Sequence, residues 1–388
     1  MKDFEFAFPS KVVFGKDAHK RIGEFAIQYG SRAMLLYGSE RIKRNGLLPD
    51  IIARLTELEI QVIEFGDIEE NPTLAKAEEG CRLARTENID MLIAIGGGSV
   101  IDTAKAISVG VHYEGSLWDL YEGSRAVSSA LPIGVVLTIA ATASEANCVS
   151  VLHNTQLGRK LSMTNPLIFP KFALMNPELT YTVPPYQTAA GSIDIFSHAF
   201  ERYFHKEQSG ALRDQLCAGV MRTVITELPK SLAHPDSYDA RSQLMWTATV
   251  AHSNMLGFEG DFACHALSHV LTTQFGISHG TALGILMVAW CKFMLAEEEE
   301  TIAKFAIQVW QVSETAKLGQ TAQNGIFEFQ SFIYSVGLPV TLREAGFPEA
   351  DAVRLAEKAL DFTNGFIGGN FRRLYLRDII GIFQIAAG

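Results

Sequence analysis

The sequence has few cysteines, a deficit of basic residues and no long apolar run, and each absence excludes a class of protein. Five cysteines are scattered through 388 residues without a CxxC motif. An odd, scattered set is typical of free thiols in a reducing compartment and not of a disulfide framework. The formal net charge of −10 argues against a nucleic-acid partner, because such partners require clustered Lys and Arg.

The apolar content also excludes a membrane protein. No stretch approaches the roughly 18 apolar residues of a membrane span, and the opening residues lack the apolar centre of a signal peptide. We therefore expect a cytoplasmic protein with no membrane partner. The hydrophobic fraction of 48% and the charged fraction of 20% are ordinary for a globular chain. A length of 388 residues exceeds one ordinary core, so two domains are expected.

The predicted secondary structure changes near the middle of the chain. In the first half, near-continuous apolar strands alternate with helical patterns, which predicts a parallel sheet covered on both faces. After Pro184 and Pro185 long helical patterns dominate. We predict a Rossmann-like, dinucleotide-binding α/β domain over 1–185 and an all-helical metal-binding and catalytic domain over 186–388. The segments on either side of Pro9 resemble a short hairpin.

Aspartate and histidine in the second half recur at the spacing of metal ligands. Asp194 and His198 are four residues apart, His265 and His269 are four apart, and His279 follows. Residues four apart share a helix face, so each pair can reach one point in space. Imidazole with carboxylate suits Fe, Zn, Mn or Co better than Ca or Mg. The spacing therefore predicts metal-assisted chemistry.

The remaining histidines carry no such spacing. A lone histidine is more often a core or surface residue than a ligand, and we interpret these histidines in that way: His19, His112, His153, His205, His234 and His252. Cys264 adjoins His265 but is expected to point elsewhere on its helix and to be buried and inert.

A glycine turn at 96–99 (Gly-Gly-Gly-Ser) follows an apolar strand and opens a helix that carries Asp102 and Lys105 in its first turns. Glycines allow a diphosphate to approach the backbone, and the helix start supplies unpaired N–H groups. Such turns also close α/β units without a ligand, but the position after a strand favours phosphate binding. The turn is neither GxGxxG nor a Walker loop, which argues against an ordinary Rossmann dehydrogenase or an NTPase.

A second polar loop follows the next apolar strand. It contains Thr138, Thr142, Ser144, Glu145 and Asn147. Hydroxyls at the carboxyl end of a sheet strand lie where open α/β folds bind ligands. Ser144 is also a good N-cap for a helix beginning near Glu145, and the two roles are compatible.

The motifs GGGSxxDxxK at 96–105, TxxATxSE at 138–145 and DxxxH…HxxxH…H together resemble the iron-containing (group III) alcohol dehydrogenase family, over essentially the whole chain. Within that family, ATASEAN and MWTATVAHSNML are similar to the NADPH-dependent butanol dehydrogenase and broad-range aldehyde reductase branch. The resemblance implies a dehydroquinate-synthase-like architecture, with a nucleotide-binding α/β domain followed by a helical metal domain. Ala141 and Ala143 depart from the glycines that relatives often carry.

The resemblance also implies residue roles. The implied metal ligands are Asp194, His198, His265 and His279, and His269 is the implied proton-relay residue. The metal is expected to be Fe²⁺, with Zn²⁺ as the alternative. Together with the two loops, the resemblance gives these candidate dinucleotide contacts: Ser39, Asn71, Gly97, Gly98, Ser99, Asp102, Thr138, Thr142, Lys160 and Leu179.

The choice between NADP(H) and NAD(H) depends on the segment after the strand at 32–38. Relatives that use NAD commonly carry an aspartate there, whereas this chain has Gly38 and Ser39, with Arg41 and Lys43 nearby. A hydroxyl and cations favour a 2′-phosphate. Glu40 could replace the aspartate, but the segment as a whole predicts NADP(H).

The predicted reaction is hydride transfer between NADP(H) and a small primary alcohol or aldehyde, with the metal as Lewis acid. Alternatives of the same fold are a glycerol-dehydrogenase-like polyol enzyme using NAD and a dehydroquinate-synthase-like lyase. An alternative of another class is a non-catalytic nucleotide or metal sensor, for which the sequence offers no DNA-reading module. A homodimer paired through the N-terminal hairpin edge is also expected.

Overall fold

The structure, a computed structural model, describes residues 6–206, 210–257, 260–361 and 363–388. The chain divides between Thr182 and Val183 into two compact units. The predicted domain boundary lies three residues further on, and the role assigned to each domain stays a prediction. Across the described ranges, none of the helices combines the length and the apolar character that crossing a membrane requires.

The unit Phe6–Thr182 is built on a six-stranded sheet in which every strand pair is parallel. The strand order is β1-β8-β5-β4-β2-β3, and a separate antiparallel pair is formed by β6 and β7. The strands are β1 (Lys11–Phe14), β2 (Arg32–Tyr37), β3 (Gln61–Phe65), β4 (Met91–Gly96), β5 (Ile133–Leu137), β6 (Val149–Asn154), β7 (Arg159–Thr164) and β8 (Phe172–Met175).

Helices connect and cover these strands. The central strands β4 and β5 are buried along their whole length, as expected of apolar strands with helices on both faces. The helices are α1 (Ile22–Ala26), α2 (Arg41–Arg44), α3 (Leu47–Thr56), α4 (Leu74–Thr86), α5 (Gly98–Gly110) and α6 (Trp118–Tyr121). Ile22 of α1 and Leu48 of α3 belong to the buried apolar cluster that includes Leu35 of β2 and Ile93 of β4.

The unit Val183–Gly388 is helical, apart from a short antiparallel pair near its end. Its helices are α7 (Pro185–Tyr203), α8 (Ala211–Ala233), α9 (Tyr238–His252), α10 (Ala263–Phe275), α11 (His279–Met294), α12 (Glu299–Trp310), α13 (Leu318–Ser335), α14 (Ala352–Leu360) and α15 (Leu376–Ala387). The short pair is β9 (Ile367–Gly368) with β10 (Arg373–Leu374).

Helix α7 is the centre of the helical unit, because its residues are buried almost continuously from Thr188 to Tyr203. Phe196 and Phe200 of this helix pack in an aromatic core with Phe329 and Phe305. A helix that is buried on all sides must satisfy any polar side chain it carries within the protein. Asp194 and His198, the buried aspartate and histidine of this helix, must therefore find their partners inside the protein.

The predicted parallel α/β sheet followed by a helical region is confirmed, whereas the helix expected near Glu145 is wrong, and the predicted N-terminal hairpin lies partly outside the described residues. Lys11–Phe14 pairs with β8 and residues 6–10 contain no strand; residues 1–5 of the predicted hairpin lie outside the described ranges. The polar loop continues from a 3₁₀ turn at Ser144–Ala146 into β6 instead of a helix. The reason is that Ser144 and Asn147 bond to α5 and the following β-branched residues favour a strand.

Candidate metal centre and nucleotide-binding turn

One face of α7 presents three buried polar side chains, Asp194, His198 and Glu201. They are separated by four and then three residues, so helical periodicity places them in one row. The helix begins immediately after Pro184, with Pro185 at its first position, where a missing N–H is tolerated. Helix α7 continues to Tyr203, so the same helix carries all three side chains.

Asp194 is the hub of a group of imidazoles. Its Oδ1 lies 3.9 Å from Nε2 of His198, 3.9 Å from Nε2 of His265 and 3.6 Å from Nε2 of His279. We call these four residues the Asp194 cluster. Metal–ligand bonds of about 2.0–2.2 Å in a tetrahedral site separate the ligand atoms by roughly 3.4 Å. The ligand atoms of Asp194, His198 and His265 lie within 4.8 Å of one another, so these three residues suit one cation. His279 is not part of that mutually close group, although its Nε2 approaches Asp194 to 3.6 Å.

Glu201 fixes the orientation of His265, which lies in the first turn of α10. The Nδ1 of His265 donates to Oε2 of Glu201, and the main-chain N–H groups of Cys264 and His265 also donate to this carboxylate, at 2.6 and 3.3 Å. With the proton on Nδ1, the lone pair is on Nε2. That nitrogen is buried and has no hydrogen-bond partner among the described residues. An orphaned acceptor beside a carboxylate fits a divalent metal.

Ser268 fixes His279 in the same tautomer as His265, with the proton on Nδ1. The Ser268 hydroxyl donates its proton to the main-chain oxygen of His265 at 2.7 Å. Its oxygen therefore accepts from Nδ1 of His279, 3.1 Å away. The lone pair of His279 is then on Nε2, the atom that faces Asp194. Two imidazoles of the cluster thus have the tautomer that a metal ligand requires.

His198 is neutral for a different reason. Burial, followed by the neighbouring His252 and His265, holds the pKa of His198 well below its usual value of 6.5. A neutral imidazole is the form that binds metal. His269, one turn after His265 on α10, is half-buried, and its ring centroid lies 6.0 Å from that of His279. It stands beside the cluster.

The glycine turn that is predicted to bind a nucleotide joins the end of β4 to the start of α5. A Cβ atom on Gly97 would overlap Ile139, and one on Gly98 would lie 2.7 Å from Cγ2 of Thr142. A side chain at either position would force Ile139 or Thr142 to shift, because the turn packs directly against the 139–142 loop. Gly97 is also the N-cap of α5 and offers no side chain to its first N–H groups, which suits an anion.

Asp102 and Lys105 tie α5 to the polar loop. Asp102 accepts from Oγ of Ser144 at 2.6 Å and from the main-chain N of Val151 at 3.0 Å. Lys105 donates to Ser144, Asn147 and the oxygen of Val149 at 2.8–2.9 Å, and its burial lowers the pKa of the amine to about 8. Both carboxylate oxygens of Asp102 are used within the protein. Its predicted direct contact with a dinucleotide stays a prediction.

Other predicted contacts are distributed around this unit. Lys160 of β7 donates to Oδ1 of Asn71 at 3.0 Å, which brings together two predicted contacts that are 89 residues apart in sequence. Thr138 donates its main-chain N–H to the oxygen of Gly96 at 3.1 Å, beside the turn. Leu179 packs against the apolar cluster of β2 and β4. Ser99, half-buried, is in the first turn of α5.

The segment after β2 carries both signs of charge. Ser39 and Glu40 are exposed. Nζ of Lys43 lies 3.1 Å from an oxygen of Glu40 and 3.2 Å from an oxygen of Glu64, and Arg41 donates to the main-chain oxygen of Thr182. Lys43, one of the cations of this segment, is therefore already shared between two carboxylates.

The sequence reasoning missed Glu201, Ser268 and the pair Arg202–His252. Glu201 could have been found, since it is seven residues after Asp194 and helical periodicity repeats at that distance. Ser268 and His252 could not, because their contacts depend on how α7, α9, α10 and α11 pack.

Comparisons with known proteins agree with these features. The iron-containing alcohol dehydrogenase family matches residues 9–177, and the C-terminal family of Fe-containing alcohol dehydrogenases matches residues 188–387. The chain is 35% identical over 387 residues to a probable NADH-dependent butanol dehydrogenase of Bacillus subtilis (strain 168), covering 99% of each chain. It is 31% identical over 363 residues to an NADPH-dependent aldehyde reductase of Escherichia coli (strain K12), covering 92% of this chain and 93% of the relative.

A solved structure gives the same result. The crystal structure of NADH-dependent butanol dehydrogenase A from Thermotoga maritima superposes with a TM-score of 0.95 at 31% identity, covering 100% of this chain and 99% of the other. The names of the similar proteins are thus divided between NADH and NADPH.

Proposed function

Because the chain belongs to the iron-containing alcohol dehydrogenase family and is an NAD(P)-dependent alcohol dehydrogenase of the iron type, we propose that it interconverts small primary alcohols and aldehydes at the Asp194 cluster. The observation that carries this proposal is the convergence of three imidazole Nε2 atoms on one carboxylate oxygen, at 3.6–3.9 Å. Fe²⁺ is the proposed ion and Zn²⁺ the alternative, since both accept this donor set.

When bound, a divalent metal supplies Lewis-acid stabilisation of the negative charge on the substrate oxygen. The chain's own residues prepare for that role. Glu201 and Ser268 orient His265 and His279 through Nδ1, with Nε2 turned toward Asp194. His269 beside the cluster is the proposed carrier of the proton between the substrate oxygen and solvent.

The α/β unit is the proposed dinucleotide-binding domain, and the nicotinamide supplies the hydride chemistry. Gly97, Gly98 and Ser99 are proposed to receive the diphosphate at the start of α5. Thr138 and Thr142 flank the same turn, and Lys160, oriented by Asn71, is the proposed contact to the nicotinamide ribose. Ser39 and Leu179 are proposed contacts at the adenosine end.

NADP(H) remains the proposed cofactor, with a modest preference. Ser39 places a hydroxyl where a carboxylate would repel a 2′-phosphate, but Glu40 and Glu64 share the charge of Lys43. Exposed ion pairs of this kind are weak because water screens them, so they moderate the phosphate attraction without reversing it. Turnover with NADPH and NADH at equal, low concentration measures the ratio; a clear preference for NADH would contradict the assignment.

The activity itself is tested with butanal and reduced cofactor, by following cofactor absorbance. The proposal predicts turnover by the wild-type chain and loss of both bound metal and turnover in His265→Ala. His234→Ala, which changes an exposed histidine, is the matched control and retains both. A His265→Ala variant with full turnover would contradict the proposed site. The polyol dehydrogenase and sensor alternatives have no observation in their favour.

A further inference from the structure

Within the Asp194 cluster, His198 is held differently from the other two imidazoles. His265 and His279 each have a hydrogen bond on Nδ1, to Glu201 and Ser268. The Nδ1 of His198 is buried and has no hydrogen-bond partner among the described residues. A metal-binding imidazole normally uses its second nitrogen to fix the ring plane. Some other contact must fix the plane of His198.

That contact is a stacked imidazole. The ring of His252, the last residue of α9, lies against the ring of His198 with a centroid distance of 4.1 Å and an interplanar angle of 18°. A nearly parallel ring at this distance blocks rotation of His198 toward α9. This role of His252 could not be predicted from the sequence, because it depends on the packing of α9 against α7.

Arg202 fixes His252 in turn. Its Nη2 lies 2.9 Å from Nδ1 of His252, and since a guanidinium can only donate, that nitrogen accepts and the proton of His252 is on Nε2. The same guanidinium donates to the main-chain oxygen of His198 at 3.0 Å and to that of Gly257 at 3.2 Å. Arg202 is 2% exposed and also lies over the ring of Phe262, 4.9 Å from its centroid.

Phe262 extends this arrangement to a second ligand. It is the N-cap residue of α10, and its ring meets that of His265 edge-on at 5.3 Å. A single guanidinium thus touches the backbone of His198, the ring stacked on His198, and the residue that precedes the helix of His265. Its planar fork of donors makes three directed contacts that a lysine could not reproduce.

We propose that Arg202 and His252 form a clamp that positions the ring of His198 for metal binding, in place of the Nδ1 hydrogen bond that this ligand lacks. Both are positioning residues acting through His198. This inference rests on the proposed metal site, and it adds a requirement that the site's spacing alone does not contain: the stacked ring and its arginine anchor are needed for full affinity and normal ligand geometry.

The test uses the full chain stripped of metal and titrated with Co²⁺, whose d–d spectrum reports ligand geometry. Removal of supporting contacts around a ligand typically lowers metal affinity by about 10–100-fold. We expect a loss of that size and a changed spectrum for His252→Ala. His252→Phe keeps a flat ring against His198 but cannot accept from Arg202, so it should recover only part of the affinity. Gln243→Ala, at an exposed position on the same helix, should match the wild type.

Thermal stability of the metal-free proteins separates positioning from packing. If His252→Ala lowers the melting temperature but binds Co²⁺ with wild-type affinity and spectrum, the clamp is wrong and the proposed metal site stands. If the wild-type chain itself takes up no Co²⁺, the metal site and the clamp are both wrong.

Arg202→Lys decides the matter if His252→Ala does not fold. This variant keeps the buried charge but cannot reach His252 and both main-chain oxygens together. The clamp predicts weaker Co²⁺ binding with a changed spectrum, and an unchanged spectrum and affinity would overturn it.

Discussion

At the scale of single residues, the proposed metal site depends on which nitrogen of each imidazole carries its proton. Glu201 and Ser268 determine this for His265 and His279 through hydrogen bonds to Nδ1. These supporting residues are as specific as the ligands, because the wrong tautomer would present an N–H to the cation instead of a lone pair. Metal binding is therefore expected to depend on Glu201 and Ser268 as well as on the four residues of the Asp194 cluster.

Glu201→Gln tests this directly. Glutamine keeps the shape of the side chain but removes its charge, so the Nδ1 proton of His265 loses a charged acceptor. We expect metal affinity to fall by about 10–100-fold, measured by competition with a chelator of known affinity. Glu227→Gln, at a half-buried glutamate of α8 that is ion-paired with Lys230, is the control. Equal affinities in the two variants would show that Glu201 has no part in metal binding.

Residue spacing revealed part of the site and could not reveal the rest. Asp194 and His198 were predictable because α-helical geometry alone fixes what lies four residues away. Glu201 obeys the same geometry and was overlooked. The stacking of His252 on His198 was beyond reach, because a lone histidine at the end of α9 has no local pattern that distinguishes it from a core residue.

At the scale of elements, the nucleotide turn is supported by polar contacts between α5 and the loop that leads to β6. Ser144 illustrates why the predicted helix there did not form. Its hydroxyl donates a hydrogen bond to Asp102 and accepts one from Lys105, so the contact with α5 prevails over the local capping preference. The parallel sheet itself was predictable, because long apolar strands between helices allow few other arrangements.

Lys105 gives the stability of this unit a specific pH dependence. Its folded-state pKa of about 8 lies below the usual 10.5, so between these values the unfolded chain binds more protons than the native state. The contribution of Lys105 to the free energy of unfolding must therefore rise with pH across that window and be least favourable below pH 8.

Denaturant unfolding of the wild type and Lys105→Met between pH 7 and 10.5 measures this contribution, with the pH range set by the two pKa values. The wild type should gain stability relative to the variant as pH rises. Lys230→Met, at an exposed lysine, provides the comparison and should show no such trend. A pH-independent difference for Lys105→Met would contradict the predicted linkage.

Replacing a glycine by alanine is expected to have different effects in the turn and inside a helix. Gly98→Ala places a methyl group 2.7 Å from Thr142, so it should displace the loop and raise the KM for the nicotinamide cofactor. Gly219→Ala, inside α8 with no atom within 4 Å of the added carbon, should leave KM unchanged and raise stability by about 0.5–1 kcal/mol. Steady-state kinetics and denaturant unfolding of both variants measure these effects. A KM for Gly98→Ala equal to that of the wild type would contradict the predicted displacement of the loop.

At the scale of the whole molecule, the chain combines a parallel α/β unit with a helical unit, and each contains one part of the proposed chemistry. The predicted fold class is confirmed, while the N-terminal hairpin expected to pair two copies is not: β1 joins β8 in the main sheet. That result leaves β1 as an edge strand within the described sheet, and an exposed edge is a common place for strands of two chains to meet.

The predicted homodimer is tested by light scattering. A mass near twice the 42.6 kDa of one chain is expected across a tenfold range of concentration. A mass equal to one chain at every concentration would reject the dimer, and it would leave the metal and nucleotide sites unaffected, because all their described residues belong to a single chain.

The central claim is that turnover requires one divalent metal at the Asp194 cluster. Metal should be removed with a chelator under anaerobic conditions, then restored in steps with Fe²⁺ or Zn²⁺, and bound metal and aldehyde reduction measured on the same samples. The account predicts that turnover rises in proportion to bound metal and reaches its maximum at one ion per chain. Full turnover by the metal-free protein would contradict it.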